Sequence, residues 1–110
     1  MTTLSRTEEI LLLMVCKLGD DAYGMQIREE VRLLTGKLYS VGGIYVPLDR
    51  LVNRKLLSQL EVESGNDRLG RPRRRFEITA LGLEQLKTIR KMEEKMWNLP
   101  ISLLEKLKLT

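Results

Sequence analysis

The chain has 110 residues, of which 43% are hydrophobic, a length that suits one small domain with a modest core. It contains 19 Lys and Arg against 15 Asp and Glu, a formal charge of +4, and no histidine. The lack of histidine excludes Ser-His-Asp and Cys-His catalysis and His-ligated zinc. The sequence also lacks paired carboxylates, a nucleophile with a base, and a set of metal ligands. We therefore expect a binding protein without cofactor or metal, not an enzyme.

The sequence shows no export or membrane signal. Its longest apolar run, residues 10–16, has seven residues and falls short of the ~20 that cross a bilayer. Acidic residues precede that run and a basic n-region is missing, so we expect a cytoplasmic protein that does not associate with membranes. The only cysteine, Cys16, ends the run and cannot form an internal disulfide. We interpret it as a small core residue.

Two helices are predicted in the first third of the chain. Ser5 and Glu8 have the spacing of a capping box, which predicts the start of a first helix that runs to Leu18. From Tyr23, apolar residues recur every three or four positions until Gly36, which predicts a second helix. The apolar positions of the second helix are Tyr23, Ile27, Val31 and Leu34.

A third amphipathic helix is predicted between residues 40 and 55. Pro47 lacks an N–H and fits only a first helical turn, so either the helix starts near Val46 or its first turn is irregular. The apolar stripe consists of Ile44, Leu48, Leu51 and Val52, and the opposite face carries Gly42, Val46, Asp49, Arg50 and Asn53.

The residues of this third helix suggest contacts to a nucleic acid but leave several roles open. Glycine at position 42 permits close approach of the backbone, and Ser40 either caps the helix or holds a phosphate. Tyr45 lies at the edge of the stripe, where it either packs or donates its hydroxyl to a phosphate. Asp49 either accepts from a cytosine amino group or pairs with Arg50 or Asn53.

The next segment changes from helical to strand periodicity. Residues 59–63 and 75–79 alternate apolar and polar side chains, which predicts two strands joined by a turn-rich tip. Thr79 is a suitable N-cap for a long amphipathic helix that ends before Pro100, and a short apolar segment follows.

Basic residues are concentrated on the third helix and the hairpin. Eight basic residues stand against three acidic ones between residues 50 and 75, whereas the rest of the chain has eleven and twelve. Arginine suits bidentate contact with phosphate or insertion into a narrow minor groove. The run of residues 71–75 contains no acid, unlike a surface that is merely solvated, so we predict that it contacts nucleic acid. Protection of an exposed hairpin edge is the alternative.

The long last helix predicts a dimer. Once the three-helix unit is packed, the apolar face of this helix has no core left to cover, so it requires a second copy of the chain. Trp97 either anchors this interface or lines a pocket for a small apolar or planar effector. The residues predicted to form the interface or pocket are Leu86, Ile89, Met92, Met96, Trp97 and Leu103.

The order of elements is that of a winged helix-turn-helix protein, with the hairpin as the wing. We therefore expect a mainly α fold with a small β-hairpin. Residues 1–79 would form the DNA-binding domain, and residues 80–110 a C-terminal dimerisation helix within the same compact unit. Few base-reading groups lie on the third helix, so a module that binds RNA or an acidic protein is the alternative.

Three motifs in this order resemble the PadR-like bacterial transcriptional regulators. They are Tyr23-Gly24, residues 40–51 followed by Leu56-Leu57, and residues 70–82. The resemblance implies a homodimeric cytoplasmic repressor that binds an inverted-repeat operator in double-stranded DNA. The residues that it places beside DNA are Tyr23, Ser40, Tyr45, Arg71, Arg73 and Arg74. Position on the third helix and in the basic cluster adds Gly42, Arg50, Asn53 and Arg68.

The chain departs from the family pattern at two positions. Lys55 stands where a glycine usually precedes the first wing strand, and Pro47 lies one place after the usual proline. The first substitution bears on how the chain enters the wing, and the second on where the third helix begins.

Overall fold

The computed structural model describes residues 3–66 and 72–106 and has the predicted order of elements. The fold is mainly helical with a two-stranded antiparallel hairpin, as expected for a winged helix. The elements are α1 (Arg6–Leu18), a 3-10 helix (Gly19–Asp21), α2 (Gly24–Thr35), α3 (Val41–Asn53), β1 (Leu57–Asn66), β2 (Pro72–Ile78), α4 (Ala80–Met96) and α5 (Ile101–Glu105).

Helix α1 begins with the predicted capping box. The backbone N–H of Glu8 donates to Ser5 Oγ over 3.1 Å, and the N–H of Ser5 donates to Glu8 Oε1 over 2.9 Å. The interpretation of Cys16 as a core residue is wrong, because its side chain is exposed. It lies about 100° around the helix from the buried Val15 and so leaves the face that packs inward. Its partial burial raises the pKa of the thiol.

Helix α2 ends where predicted, with Gly36 in the left-handed region at φ 74°. Ile27 and Val31 are buried, but Leu34 is 60% exposed, so its assignment to the apolar stripe is wrong. Leu33 is exposed as well, which shows that the last turn of α2 extends beyond the core.

Helix α3 runs without a break from Val41, so a start near Val46 is wrong. The cap at Ser40 determines the start, because its Oγ accepts a 2.9 Å hydrogen bond from the N–H of Gly43. Pro47 lies inside the helix and cannot donate to the carbonyl four residues earlier. The helix continues past the proline because its apolar stripe is buried both before Pro47, at Ile44, and after it, at Leu48 and Leu51.

The wing is longer than predicted and is attached to the helical core at its base. Strands β1 and β2 pair antiparallel, with Gln59 opposite Phe76 and Glu61 opposite Arg74. The N–H of Phe76 donates to the carbonyl of Ala22 over 2.9 Å, which joins β2 to the segment before α2. Phe76 is completely buried, so the base of the wing is part of the core.

A tight junction fixes the start of α4 against the base of the wing. The predicted cap is present, since Thr79 Oγ1 accepts from the N–H of Gly82 over 3.0 Å. A Cβ on Gly82 would lie 2.3 Å from the carbonyl oxygen of Leu56, so only glycine allows this approach. Lys55, just before β1, has a φ of 65°, a conformation that favours glycine.

Candidate nucleic-acid interface

The outer face of α3 is open to a partner. Gly42, Val46, Arg50 and Asn53 are exposed, and the side chain of Asp49 is half exposed. The sequence placed these five residues opposite the buried stripe, and the structure confirms that arrangement. The exposed polar side chains of Arg50 and Asn53 on this face are a guanidinium and an amide, groups of the kind that can pair with base edges.

The N-terminus of α3 is held by the preceding turn. The Nε of Arg28 donates to the carbonyl of Tyr39 over 2.6 Å, and Lys37 Nζ lies 4.7 Å from the centre of the Tyr39 ring. A Cβ on Gly42 would meet nothing within 4 Å, so its backbone is accessible. Of the two roles open for Ser40, the structure shows capping. Lys37 and Tyr39 lie just before the cap at Ser40, yet no sequence motif predicted them as site residues.

Arg50 and Arg54 lie one turn apart on α3 but differ in their surroundings. Arg54 Nη1 donates to Glu8 Oε2 over 2.9 Å and ties α3 to α1. Burial alone would raise the pKa of Glu8, but the hydrogen bonds with Ser5 and the charge of Arg54 outweigh it and lower that pKa. Arg50 makes no ion pair within the described part of the chain. It lines an open cleft of about 610 Å³ between the start of α1 and α3.

The wing presents Arg73 on the face that meets α2. Its guanidinium lies 3.9 Å from the centre of the Tyr23 ring, a cation–π distance. Among the side chains that the structure describes, those of residues 3–61 and 73–106, no carboxylate pairs with Arg73. Within that described part, the positive charge of Arg73 is therefore not compensated by a carboxylate, and the Tyr23 ring holds its side chain in place.

Arg74 points to the other side of β2 and makes its contacts within the fold. Its Nη1 donates to Asp49 Oδ1 over 2.8 Å and to Gln59 Oε1 over 3.1 Å. Its guanidinium stacks 4.6 Å above the ring of Tyr45. Asp49 thus pairs with a wing residue, and the predicted pairing with Arg50 or Asn53 is wrong. Tyr45 is 7% exposed, so of its two open roles the structure shows packing.

Arg75 is also paired within the fold. Its Nη1 donates to Asp20 over 3.1 Å and its Nη2 to Glu77 over 2.9 Å. Of the three consecutive arginines in β2, Arg74 and Arg75 have carboxylate partners, and Arg73 has none among the side chains described for residues 3–61 and 73–106. Arg68 and Arg71, which were also predicted to contact DNA, lie outside the described residues.

The comparison with protein families decides between the possible classes. Residues 12–88 match the transcriptional regulator PadR-like family. The chain belongs to this family. No curated protein sequence matches it. The resemblance seen in the three sequence motifs is therefore confirmed, and the family places the chain among transcription regulators.

Solved structures of PadR-like and related regulators share the fold. RosR of H. salinarum has a TM-score of 0.73 at 19% identity, over 96% of this chain and 87% of that one. A PadR-like regulator of Bacillus cereus has 0.64 at 22%, over 94% and 92%. A PadR-like transcription factor of Bacteroides fragilis has 0.63 at 25%, over 79% and 81%.

In this PadR-like chain, the second predicted site lies on α4 and α5. Leu86 packs against the edge of the core and Ile89 is half-buried. Met92, Met96, Trp97 and Leu103 are 51%, 66%, 65% and 48% exposed. The apolar face is thus largely uncovered in the single chain, as the sequence predicted. No helix in the described ranges is long and apolar enough to span a bilayer.

A cleft of about 500 Å³ separates α1 from α4. Leu86 lines it, but the other five residues predicted for the interface or pocket do not. Two carboxylates meet at its edge, because Arg6 Nη1 bonds both Glu9 Oε1 at 3.1 Å and Glu93 Oε1 at 3.0 Å. Burial first, and then the neighbouring Glu93, raise the pKa of Glu9.

Proposed function

We propose that this PadR-like chain is a cytoplasmic transcriptional repressor that binds an inverted-repeat operator in double-stranded DNA as a homodimer. Residues 1–79 would form the DNA-binding domain and residues 80–110 the dimerisation helix. One observation carries the proposal. The exposed face of α3 adjoins a wing, and Arg50 on the helix and Arg73 on the wing have no carboxylate partner in the described residues.

The residues of this surface suit different parts of a DNA duplex. Arg50 and Asn53 would reach base edges, since arginine pairs with guanine and asparagine with adenine in the major groove. The accessible backbone at Gly42 would allow α3 to enter that groove closely.

Phosphate contacts would come from the wing and from the start of α3. Arg73 would neutralise a phosphate, and its contact with the Tyr23 ring would orient its side chain. Ser40 would position the N-terminus of α3 near the backbone. Arg68 and Arg71 would extend the wing contact.

A homodimer would present two such surfaces to the same face of DNA. Pairing of α4 with its copy would cover the exposed side chains of Met92, Met96 and Trp97. Two-fold symmetry then requires an operator whose half-sites lie about 34 Å apart, one helical turn. Repression is proposed because the resemblance to the PadR-like regulators implies it.

DNA binding is tested by selecting and sequencing genomic fragments retained by the purified protein. We expect the retained fragments to contain inverted repeats. The slope of log affinity against log salt concentration should be about −0.9 for each phosphate that the protein neutralises. Arg50→Ala with Arg73→Ala should weaken binding at least tenfold, by ~1.4 kcal/mol or more. Arg90→Ala is the matched control, because Arg90 is an exposed arginine of α4 that pairs with Glu94. Equal retention of RNA, or of an acidic protein, would instead support the alternative module.

We also propose that a small apolar or planar effector binds at the dimer interface. Trp97 and Met96 are large, exposed and adaptable, which suits a flat ligand between two helices. The test is fluorescence of Trp97 during titration with a panel of planar aromatic compounds. Saturable quenching that also changes operator affinity would support the site, and a response to none of them would contradict it.

A further inference from the structure

We infer that Arg74 is a positioning residue that locks the wing to α3, and that it does not contact DNA itself. This inference rests on the proposed DNA-binding function and deepens it. Charge counting assigns Arg74 to DNA together with Arg73, yet the two neighbours point to opposite sides of β2. Of these two arginines, Arg74 pairs with Asp49, whereas Arg73 has no carboxylate partner among the side chains that the structure describes.

The contacts of Arg74 join three elements in a single cluster. From β2, its Nη1 reaches Asp49 on α3 at 2.8 Å and Gln59 on β1 at 3.1 Å, while the guanidinium covers the Tyr45 ring at 4.6 Å. The side chain is 22% exposed. The wing cannot shift along α3 without breaking a charge-assisted hydrogen bond and uncovering an aromatic ring.

The same pair explains an acidic residue on a surface proposed to meet DNA. An isolated carboxylate at Asp49 would repel phosphates, but the adjacent guanidinium of Arg74 compensates its charge. If Arg74 turned to a phosphate, it would leave Asp49 as an uncompensated anion on α3. The pair therefore favours a wing that is held at a fixed distance from α3. That fixed geometry sets how Arg50 and Arg73 reach the DNA together.

A comparison of salt dependence separates positioning from direct contact. Arg73→Gln and Arg74→Gln are matched changes at adjacent positions of β2. Arg73→Gln should reduce the slope of log affinity against log salt by about 0.9, the value for one phosphate. Arg74→Gln should lower operator affinity roughly tenfold, as for loss of a coupled pair, with the slope unchanged. It should also lower the ratio of operator to scrambled-DNA affinity.

Asp49→Asn tests the pair from the other side, at a half-exposed position. It should also lower the ratio of operator to scrambled-DNA affinity. The variant with both Asp49→Asn and Arg74→Gln should resemble Arg74→Gln, because the two residues act through one contact. Circular dichroism melts check whether each variant folds. If Arg74→Gln does not fold, Asp49→Asn and Arg73→Gln still provide the comparison.

The outcomes distinguish this inference from the proposed function. A wild-type protein with no preference for operator over scrambled DNA would overturn the proposed function and the positioning role together. A wild-type preference, combined with a slope that falls by about 0.9 in Arg74→Gln, would overturn only the positioning role and assign Arg74 to a phosphate. The positioning role would also be overturned if the losses of operator preference in Asp49→Asn and Arg74→Gln added up in the double variant.

Discussion

The hydroxyl end of Tyr45 lies so close to the backbone of Gly24 that a Cβ at position 24 would stand 2.2 Å from Oη and 2.4 Å from Cζ. The tyrosine cannot easily retreat. It is buried, its ring centre lies 6.5 Å from that of Phe76, and Arg74 covers its other side. Glycine at the start of α2 therefore makes room for the α3 side chain that supports the wing.

The first prediction follows from this contact. Gly24→Ala should destabilise the fold by about 2 kcal/mol, because the added methyl forces the Tyr45 ring out of its packed position. Gly42→Ala is the control, since a Cβ there meets open space and alanine favours a helix by about 0.5–1 kcal/mol. Thermal denaturation of the two variants provides the measurement. Equal melting temperatures would show that Tyr45 adapts without cost.

The second prediction concerns the entrance to the wing. Lys55 adopts a φ of 65°, which costs a residue with a Cβ roughly 1–2 kcal/mol. Lys55→Gly should remove this strain and, after the entropy that glycine loses on folding, raise stability by up to about 1 kcal/mol. Lys55→Ala removes the charge but keeps the strain, so it should not be stabilised. Chemical denaturation measures the free energy of unfolding of both variants. A higher stability of Lys55→Ala would show that removal of the charge, and not relief of strain, is the cause.

The order of elements and most of their ends could be predicted from sequence, because they depend on local chemistry. The box formed by Ser5 and Glu8 and the caps at Ser40 and Thr79 each act within three residues. Pro47 misled the prediction of the start of α3, because a proline is judged by its local cost, whereas burial of the stripe on both sides outweighs that cost. The placement of Cys16 in the core was wrong, because its position in an apolar run does not tell how far the core extends around α1.

The partners of the wing arginines could not be predicted. Arg74 meets Asp49 across 25 positions of sequence, and Arg75 meets Asp20 across 55. The basic run in the sequence gives the net charge of the wing but not which charges the fold compensates. Only the folded arrangement distinguishes Arg73, which has no carboxylate partner among the described side chains, from Arg74 and Arg75, which do.

The third prediction is a pH dependence from the junction of α1 and α4. The pKa of Glu9 is raised by burial and then by Glu93. A carboxyl with a higher pKa in the folded state binds its proton more tightly there. Its contribution to stability is therefore greatest below the unfolded pKa and is lost as the pH rises through the folded pKa. At neutral pH the ionised Glu9 is a cost.

Glu9→Gln should remove that cost while keeping an acceptor for Arg6. We expect a melting temperature above that of the wild type by roughly 2–5 °C at pH 7.5, with the difference vanishing near pH 4. Glu94→Gln is the control, because Glu94 is exposed and pairs with Arg90, which also lies on α4. A difference between Glu9→Gln and wild type that is constant from pH 4 to 8 would contradict the role of ionisation.

The last prediction concerns the uncovered face of α4. Met92 and Met96 are more than half exposed in the single chain, yet they lie one turn apart on an apolar stripe that continues to Trp97. If a second copy covers this stripe, Met92→Lys with Met96→Lys should place two charges on each side of the interface and separate the dimer.

Sedimentation equilibrium measures that separation directly, with Lys91→Gln on the same helix as a charge-changing control that should remain dimeric. Loss of the dimer should also lower operator affinity by about 100-fold or more, because each half-site is then bound independently. A double lysine variant that stays dimeric would show that the copies meet through another surface. A monomeric variant with wild-type operator affinity would show that one chain is sufficient to bind the operator.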